Sequence, residues 1–221
     1  PGTASGITAQ GERTHRMIDK SRIMQMACVT MVVGVMMLTA CGGRSAPAKF
    51  YTLQPAKQSS TGKSLPLDVT LAVGPVAIPA ALDRAEIVTR DADNVLSFSE
   101  YHRWAGPLEK SIALVIAQNI GTLLETERIT PFTRENIFNP THRVVININR
   151  YDSQPAKEFL IDATWSIKNL NSKKHNLLLI RNSTIRESLA SAGYEELVAA
   201  QSKALAALSQ EIAAGIIEVV P

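Results

Sequence analysis

A short apolar stretch near the start of this 221-residue chain ends at a cysteine, and this pattern separates a leader from the part that folds. A charged segment, residues 17–22, precedes the apolar residues 23–38, which are too few to span a membrane comfortably. The stretch closes with Leu38, Thr39, Ala40 and Cys41. A basic start, an apolar middle and small residues before a thiol are typical of a bacterial lipoprotein cleavage box. We therefore expect cleavage after Ala40 and acylation of Cys41 as the first mature residue.

The cleavage box predicts four segments along the chain. They are an upstream extension that is not translated, a lipoprotein signal peptide, a lipidated tether and a single domain, over residues 1–16, 17–40, 41–48 and 49–221 respectively. All six methionines lie before Cys41, so the composition changes at the same point. Cys28 is a weaker acylation site, because Gln25 stands where a branched apolar residue is expected.

Acylation of Cys41 predicts a membrane address for the mature protein. One acyl chain binds a bilayer only marginally, so stable anchoring needs two or more chains, which a diacylglyceryl cysteine with an amide-linked chain supplies. In Gram-negative bacteria an Asp after the cysteine favours the inner membrane, whereas Gly42 stands here. We therefore predict anchoring to the outer membrane, with the domain on its periplasmic face. One cysteine remains after cleavage, which excludes a disulfide framework.

The charge balance excludes a nucleic-acid partner. The whole chain has a formal net charge of +3, but the mature part carries 19 basic and 18 acidic residues, which leaves +1. Its longest basic run is Lys173 and Lys174. A run this short cannot follow a phosphate backbone.

Hydrophobic periodicity predicts an α+β domain. Alternating or β-branched runs predict strands over residues 50–53, 67–73, 87–89, 95–98, 144–148, 159–167 and 177–186. Apolar residues at helical spacing predict two long helices, one after Pro107 and one over 194–219. Polar turns join the last three strands and indicate an antiparallel meander. The order of these elements predicts a two-layer sandwich, with a mostly antiparallel sheet and both helices packed on one face.

Several short motifs follow the predicted acylation site in a fixed order. They are Tyr51-Thr52-Leu53, the segments 73–79, 82–88 and 103–108, and a lone tryptophan in a strand, Trp165. In this order the motifs resemble the PqiC/YmbA-type ABC-transport auxiliary lipoproteins, a paraquat-inducible, MCE-associated outer-membrane family, over residues 50–218. The chain departs from the family pattern at Ala85-Glu86, where Pro-Gln is frequent, and at Gly106, where an acidic residue is usual.

The resemblance implies an auxiliary or docking component of an MCE-type system, Pqi-like or ABC-linked, that transports lipids between membranes. It implies an MCE-domain (PqiB-like) protein and its inner-membrane partner as partners. It also implies a homo-oligomer, attachment to the membrane through the lipid anchor, and no cofactor. Two alternatives stay open, a periplasmic lipid-binding carrier and an outer-membrane assembly lipoprotein.

Four residues are candidates for the contact with a partner or a second subunit: Asp83, Arg84, Arg103 and Trp104. Arg84 offers a planar, multi-donor guanidinium beside residues whose backbone is fixed by proline. Arg103 and Trp104 are of the residue types that dominate binding hot spots. In the alternative interpretation, Asp83 and Arg84 form an internal ion pair and Trp104 is a core residue.

The sequence lacks the patterns of catalytic and metal sites. Neither Gly-x-Ser-x-Gly nor His-Glu-x-x-His occurs, and the histidines after the cleavage box, His102, His142 and His175, lack the spacing of zinc ligands. Gly62-Lys63-Ser64 imitates the end of a phosphate-binding loop, but Lys57 stands where the upstream glycine is required. We predict neither an enzyme nor a metal-binding protein.

Overall fold

The computed structural model describes four stretches of the chain, residues 22–31, 46–132, 138–171 and 176–220. The predicted cleavage box and acylation site lie outside the described residues: Leu38, Thr39, Ala40 and Cys41. Residues 22–31 form a short helix, α1, in a unit that ends at Ala46, and a second unit begins at Pro47. Within the described stretches, no helix is both long enough and apolar enough to cross a membrane.

The second unit is built from eight strands and two long helices in its described stretches. The strands are β1 (Lys49–Tyr51), β2 (Leu71–Ala77), β3 (Glu86–Ala92), β4 (Val95–Trp104), β5 (Ile129–Pro131), β6 (His142–Gln154), β7 (Glu158–Asn169) and β8 (Leu177–Ser188). The helices are α2 (Leu108–Leu123) and α3 (Tyr194–Val219), and a 3-10 turn, Ala80–Leu82, lies between β2 and β3. This order confirms the α+β class predicted from the sequence.

Five strands form the larger sheet, in the spatial order β5-β2-β6-β7-β8. β6, β7 and β8 are the predicted antiparallel meander, whereas β2 runs parallel to both of its neighbours. Along β6, Val144, Ile146 and Ile148 are buried and alternate with more exposed residues. Because successive strand residues point to opposite faces, this alternation makes one face of the sheet apolar.

Both long helices cover that apolar face. α2 packs on β2 and β5, α3 packs on β7 and β8, and the two helices contact each other. Their fully buried residues follow helical spacing and include Ile112, Ile116 and Ile120 in α2 and Leu205, Leu208 and Ile212 in α3. A buried hydrogen bond from Asn119 Nδ2 to Ser209 Oγ (3.3 Å) links the helices. The two-layer arrangement predicted from the sequence is therefore confirmed.

Three further strands form a second, smaller sheet in the order β1-β4-β3, where the sequence predicted one sheet. β3 and β4 are the predicted hairpin, and β1 pairs in parallel with the end of β4. Between the pairs Glu86–Arg103 and Val88–Phe98, β4 has four residues and β3 has only one, so β4 forms a bulge. This bulge contains a hydrogen bond from the backbone N–H of His102 to Ser99 Oγ (3.1 Å). Such a bulge bends the strand and increases its twist.

β2 begins four residues later than predicted and continues past Gly74-Pro75, where we expected it to end. The residues before it form a turn, in which the N–H of Val69 donates to the carbonyl of Pro66 (3.1 Å). The pairing of β2 with β6 shifts register across Gly74 and Pro75. Because β5 pairs only with residues 71–73, the missing N–H of Pro75 breaks no bond on that side.

Candidate functional site

The four predicted interface residues lie around one end of the small sheet. Asp83 and Arg84 come directly before β3, and Arg103 and Trp104 close β4. An open groove of about 400 Å³ is lined by Asp83, Arg84, Ala85, Trp104 and the residues 105–108. Arg103 lies outside the groove lining, but it is paired across the strands with Glu86. The fold therefore brings together residues from two separate segments.

Glu86 connects the two arginines. Arg84 Nε donates to Glu86 Oε2 at 3.3 Å, and Arg103 Nη2 donates to Glu86 Oε1. The hydrogen bond from Arg103 is the main cause that holds the pKa of Glu86 below its usual range. The guanidinium of Arg84 also lies over the ring of Phe98, 3.9 Å from its centroid, in a cation–π contact. Each arginine side chain is 39% exposed, so both face solvent in fixed positions.

Asp83 and Arg84 do not form the internal ion pair of the alternative interpretation. Arg84 pairs with Glu86, and no cation of the described residues lies within 4.0 Å of the Asp83 carboxylate. The backbone N–H of Asp83 instead donates to the carbonyl of Ala80 (3.3 Å) and ends the 3-10 turn. Glu86 also faces Arg103 across the strands, since cross-strand neighbours share one face, so one carboxylate binds both arginines.

Trp104 is buried beneath this surface, at the point where backbone hydrogen bonds join the end of β4 to β1 and to the residue before β3. Its side chain is only 6% exposed, and its backbone N–H donates to the carbonyl of Ala85 at 2.7 Å. The next N–H, of Ala105, donates to the carbonyl of Tyr51 at 2.9 Å. This burial fits the interpretation of Trp104 as a core residue. Its contact with a partner through the groove stays a prediction.

Three exposed aromatic side chains share the small sheet. Phe50 on β1 is 65% exposed, and on β4 Phe98 is 48% and Tyr101 37% exposed. In the described part of the chain, these are the only aromatic residues among the large exposed hydrophobic ones. The sequence assigned Phe50 and Phe98 to strands only, because periodicity does not show which sheet the helices leave uncovered. We define the outer face of the small sheet by Phe50, Phe98, Tyr101, Arg84, Glu86 and Arg103.

A polar cluster on the other side of β1 ties this strand to the start of α3, and we name it the β1 clasp. Lys49 Nζ and the Tyr51 hydroxyl donate to Glu195 Oε1 at 3.1 and 3.2 Å. The Tyr51 oxygen also lies 2.7 Å from Nδ1 of His102, whose ring stacks on Tyr194 with centroids 3.9 Å apart. Hydrogen bonds from its own backbone N–H and from Lys49 hold the pKa of Glu195 below its usual value. The clasp therefore carries a carboxylate at neutral pH.

A second charged cluster joins the hairpin to the larger sheet. Arg90 of β3 donates to Asp152 Oδ1 at 3.0 Å, and Arg150 donates twice to Asp152 Oδ2, at 2.6 and 2.9 Å. Burial alone raises the pKa of Asp152, but the hydrogen bonds from the two arginines outweigh burial and lower it. A cavity of about 110 Å³ lies beside this cluster.

The described histidines do not converge on a metal site. His102 belongs to the β1 clasp, His142 is buried at the start of β6, where burial lowers its pKa, and His175 lies outside the described residues. Among the residues that the structure describes, no three His, Cys, Asp or Glu side chains are close enough to hold a metal ion. The described clusters around the small sheet consist of ion pairs and aromatic contacts.

Comparison with known proteins identifies the family. The model of the ABC-type transport auxiliary lipoprotein component family matches residues 51–213. An uncharacterized protein of known structure is 17% identical, with 77% of this chain and 99% of that chain covered and a TM-score of 0.63. A DUF330 protein from Xanthomonas campestris is 15% identical, with 75% and 93% covered and a TM-score of 0.64. These structures support the fold alone, and no curated protein matches the sequence. Because the family model covers well over half of the chain, the resemblance seen in the motifs is confirmed, and the chain belongs to the ABC-type transport auxiliary lipoprotein family.

Proposed function

We propose that this lipoprotein is a docking component of an MCE-type system, Pqi-like or ABC-linked, that transports lipids between membranes. In this proposal, acylated Cys41 holds the domain at the periplasmic face of the outer membrane. The proposed partners are an MCE-domain protein, its inner-membrane partner and further copies of this chain. Membership of the auxiliary lipoprotein family supports the link to transport, and the sequence around Cys41 supports the anchor.

The observation that carries the docking role is the outer face of the small sheet. Arg84 and Arg103 are both exposed and both held by Glu86, and Arg84 lies over Phe98. Arginine and aromatic side chains are enriched in protein interfaces and supply most hot spots. Because ion pairs fix these side chains before binding, less conformational entropy is lost when a partner binds.

A docking role fits an auxiliary lipoprotein of a lipid transport system. A lipid that crosses the periplasm must keep its acyl chains out of water, since exposure costs about 0.8 kcal/mol for each methylene group. A module that holds the end of a lipid conduit beside the membrane shortens the exposed path. The lipid anchor raises the effective concentration of the module there, so high intrinsic affinity for the conduit is not required.

Copurification of the MCE-domain protein from the same genome tests the docking surface. We expect Arg84→Ser combined with Phe98→Ser to reduce the copurified amount at least about tenfold, as expected when two hot-spot side chains are lost. Arg181→Ser is the matched control, because Arg181 is similarly exposed (43%) and also pairs with a glutamate, Glu218, at 2.7 Å, but lies on β8. Wild-type retention by a folded Arg84→Ser, Phe98→Ser variant would refute docking at this face.

A second experiment tests the anchor independently. Cys41→Ser should abolish palmitate labelling and release the protein from membranes, while the circular dichroism spectrum of the domain stays unchanged. Normal lipid transport by this released variant would exclude the tethering argument. Native mass spectrometry of the gently extracted protein addresses the carrier alternative, because a carrier retains phospholipid in stoichiometric amount.

A further inference from the structure

Two of the exposed aromatic residues lie where the tether joins the domain. Phe50 is the second residue of β1 and is paired with Arg103, so both side chains point to the outer face. Tyr101 lies on β4, the strand that pairs with β1. Phe50 and Tyr101 are 65% and 37% exposed. They are two exposed aromatic residues on the neighbouring strands β1 and β4, and we call this region the β1 edge of the small sheet.

The position of Phe50 is fixed by the residues on either side of it. Lys49 and Tyr51 both bind Glu195, and the carbonyl of Tyr51 accepts a hydrogen bond from the N–H of Ala105 (2.9 Å). These contacts hold β1 although it has only three residues. The exposed ring of Phe50 is therefore presented from a rigid base and not from a loose terminus.

The length of the tether limits how far this edge can be from the membrane. Phe50 follows Cys41 by nine residues, which span at most about 30 Å when fully extended. Acyl chains on Cys41 therefore keep the β1 edge within this distance of the bilayer surface. The tether carries one basic residue, Arg44, which favours an anionic membrane surface.

We infer that the β1 edge, with Phe50 and Tyr101, contacts the membrane to which Cys41 is attached. Aromatic side chains with a polar end settle at the headgroup level of a bilayer, and an apolar ring adds a second signal beside the lipid anchor. This contact fixes the orientation of the domain on the membrane. Arg84 comes just before β3, two strand spacings or about 10 Å from β1, and its guanidinium lies over the ring of Phe98, so this part of the face remains open to a protein partner. The inference rests on the anchor of the proposed function.

Spin labels on the mature acylated protein test this contact. The labels are attached through Phe50→Cys and Tyr101→Cys, and the matched control is Leu114→Cys on α2, where the native side chain is 46% exposed. The protein is reconstituted in vesicles of phosphatidylethanolamine and phosphatidylglycerol. We expect more frequent collisions with oxygen, and fewer with an aqueous nickel chelate, at positions 50 and 101 than at position 114.

The remaining outcomes separate this inference from the proposed function. One outcome is that mass spectrometry shows an acylated Cys41 while the labels at 50 and 101 collide with the nickel chelate as often as the label at 114 does. In that case the membrane contact is refuted and the anchor stands. If Cys41 carries no acyl chain, both fail. If position 50 becomes protected only after the purified MCE-domain protein is added, the β1 edge is a partner surface and the inference is overturned.

Discussion

Replacement of Gly215 by alanine tests how closely α3 lies on the larger sheet. Gly215 is buried in the last turns of α3, and a Cβ atom added there would lie 2.6 Å from Cη2 and 3.0 Å from Cζ3 of Trp165. The same atom would lie 2.9 Å from Cδ2 of Leu179. Leucine can rotate away, but Trp165 is 1% exposed and its Nε1 donates to Ser183 Oγ at 2.8 Å. The indole ring therefore has little freedom to move.

Two effects of Gly215→Ala oppose each other. Alanine stabilises a helix interior by about 1 kcal/mol relative to glycine. Overpacking of a closely packed core costs about 1–3 kcal/mol, and we expect the upper part of this range because the obstacle is a hydrogen-bonded ring. The packing cost is therefore larger, and Gly215→Ala should lower the free energy of unfolding by about 1–2 kcal/mol.

Urea unfolding of the leaderless Cys41→Ser chain, followed by far-UV circular dichroism, measures this change. Ala214→Gly is the matched control, because Ala214 is exposed in the same turn and its replacement should cost about 1 kcal/mol by helix propensity alone. In a Trp165→Phe background the shorter ring frees the space, so Gly215→Ala should become neutral or stabilising. If Gly215→Ala stabilises the wild-type chain, the packing argument is wrong.

Two further predictions concern buried polar groups. Asp152→Asn should lower the free energy of unfolding by about 1–3 kcal/mol, because it removes the charged acceptor of Arg90 and Arg150. Since the pKa of Asp152 is lower in the folded state than its ordinary value of 3.8, its stabilising contribution is complete above that pH and is lost as the pH falls through the folded value. Urea titrations of both chains should therefore converge in acid, and a constant difference down to pH 2 would contradict the assignment. Tyr151→Phe should raise the urea midpoint, because the Tyr151 hydroxyl is buried without a hydrogen-bond partner among the described residues, and a fall in the midpoint would refute this.

Helices and strands whose buried residues recur at regular spacing were predictable from the sequence. α3 spans Tyr194–Val219 as predicted, and β7 and β8 extend their predicted ranges by one or two residues at an end. β6 begins two residues earlier than predicted and continues six residues past its predicted end. β2 was misplaced because Leu67 and Val69 alternate with polar residues as they would in a strand. Leu67 is nevertheless 84% exposed, and the strand begins only where β5 and β6 supply partners. Local alternation does not distinguish a turn from a strand when pairing decides the boundary.

The candidate site was predictable as a set of residues but not as a set of contacts. Asp83 and Arg84 suggested a pair because they are neighbours in the chain, whereas the partner of Arg84 is Glu86. The contact between Glu86 and Arg103 depends on the hairpin register and on the bulge in β4. Phe50 is exposed because the strands divide into two sheets, and the sequence pattern does not show this division.

In the proposed function, the small sheet is the part of the domain in which anchor and docking surface meet. If Cys41 is acylated as proposed, a force applied through it enters the domain at β1, which is hydrogen-bonded to β4 and held to the start of α3 through Glu195. β4 carries Arg103 and Phe98 of the outer face, so the strand that pairs with the tethered β1 also positions these two residues. Loss of the clasp through Glu195→Gln should therefore weaken partner binding without contact between Glu195 and the partner. Measurement of MCE-domain retention by this variant, beside Arg181→Ser as the distant ion-pair control, separates positioning from direct contact: unchanged retention would show that the clasp serves stability alone.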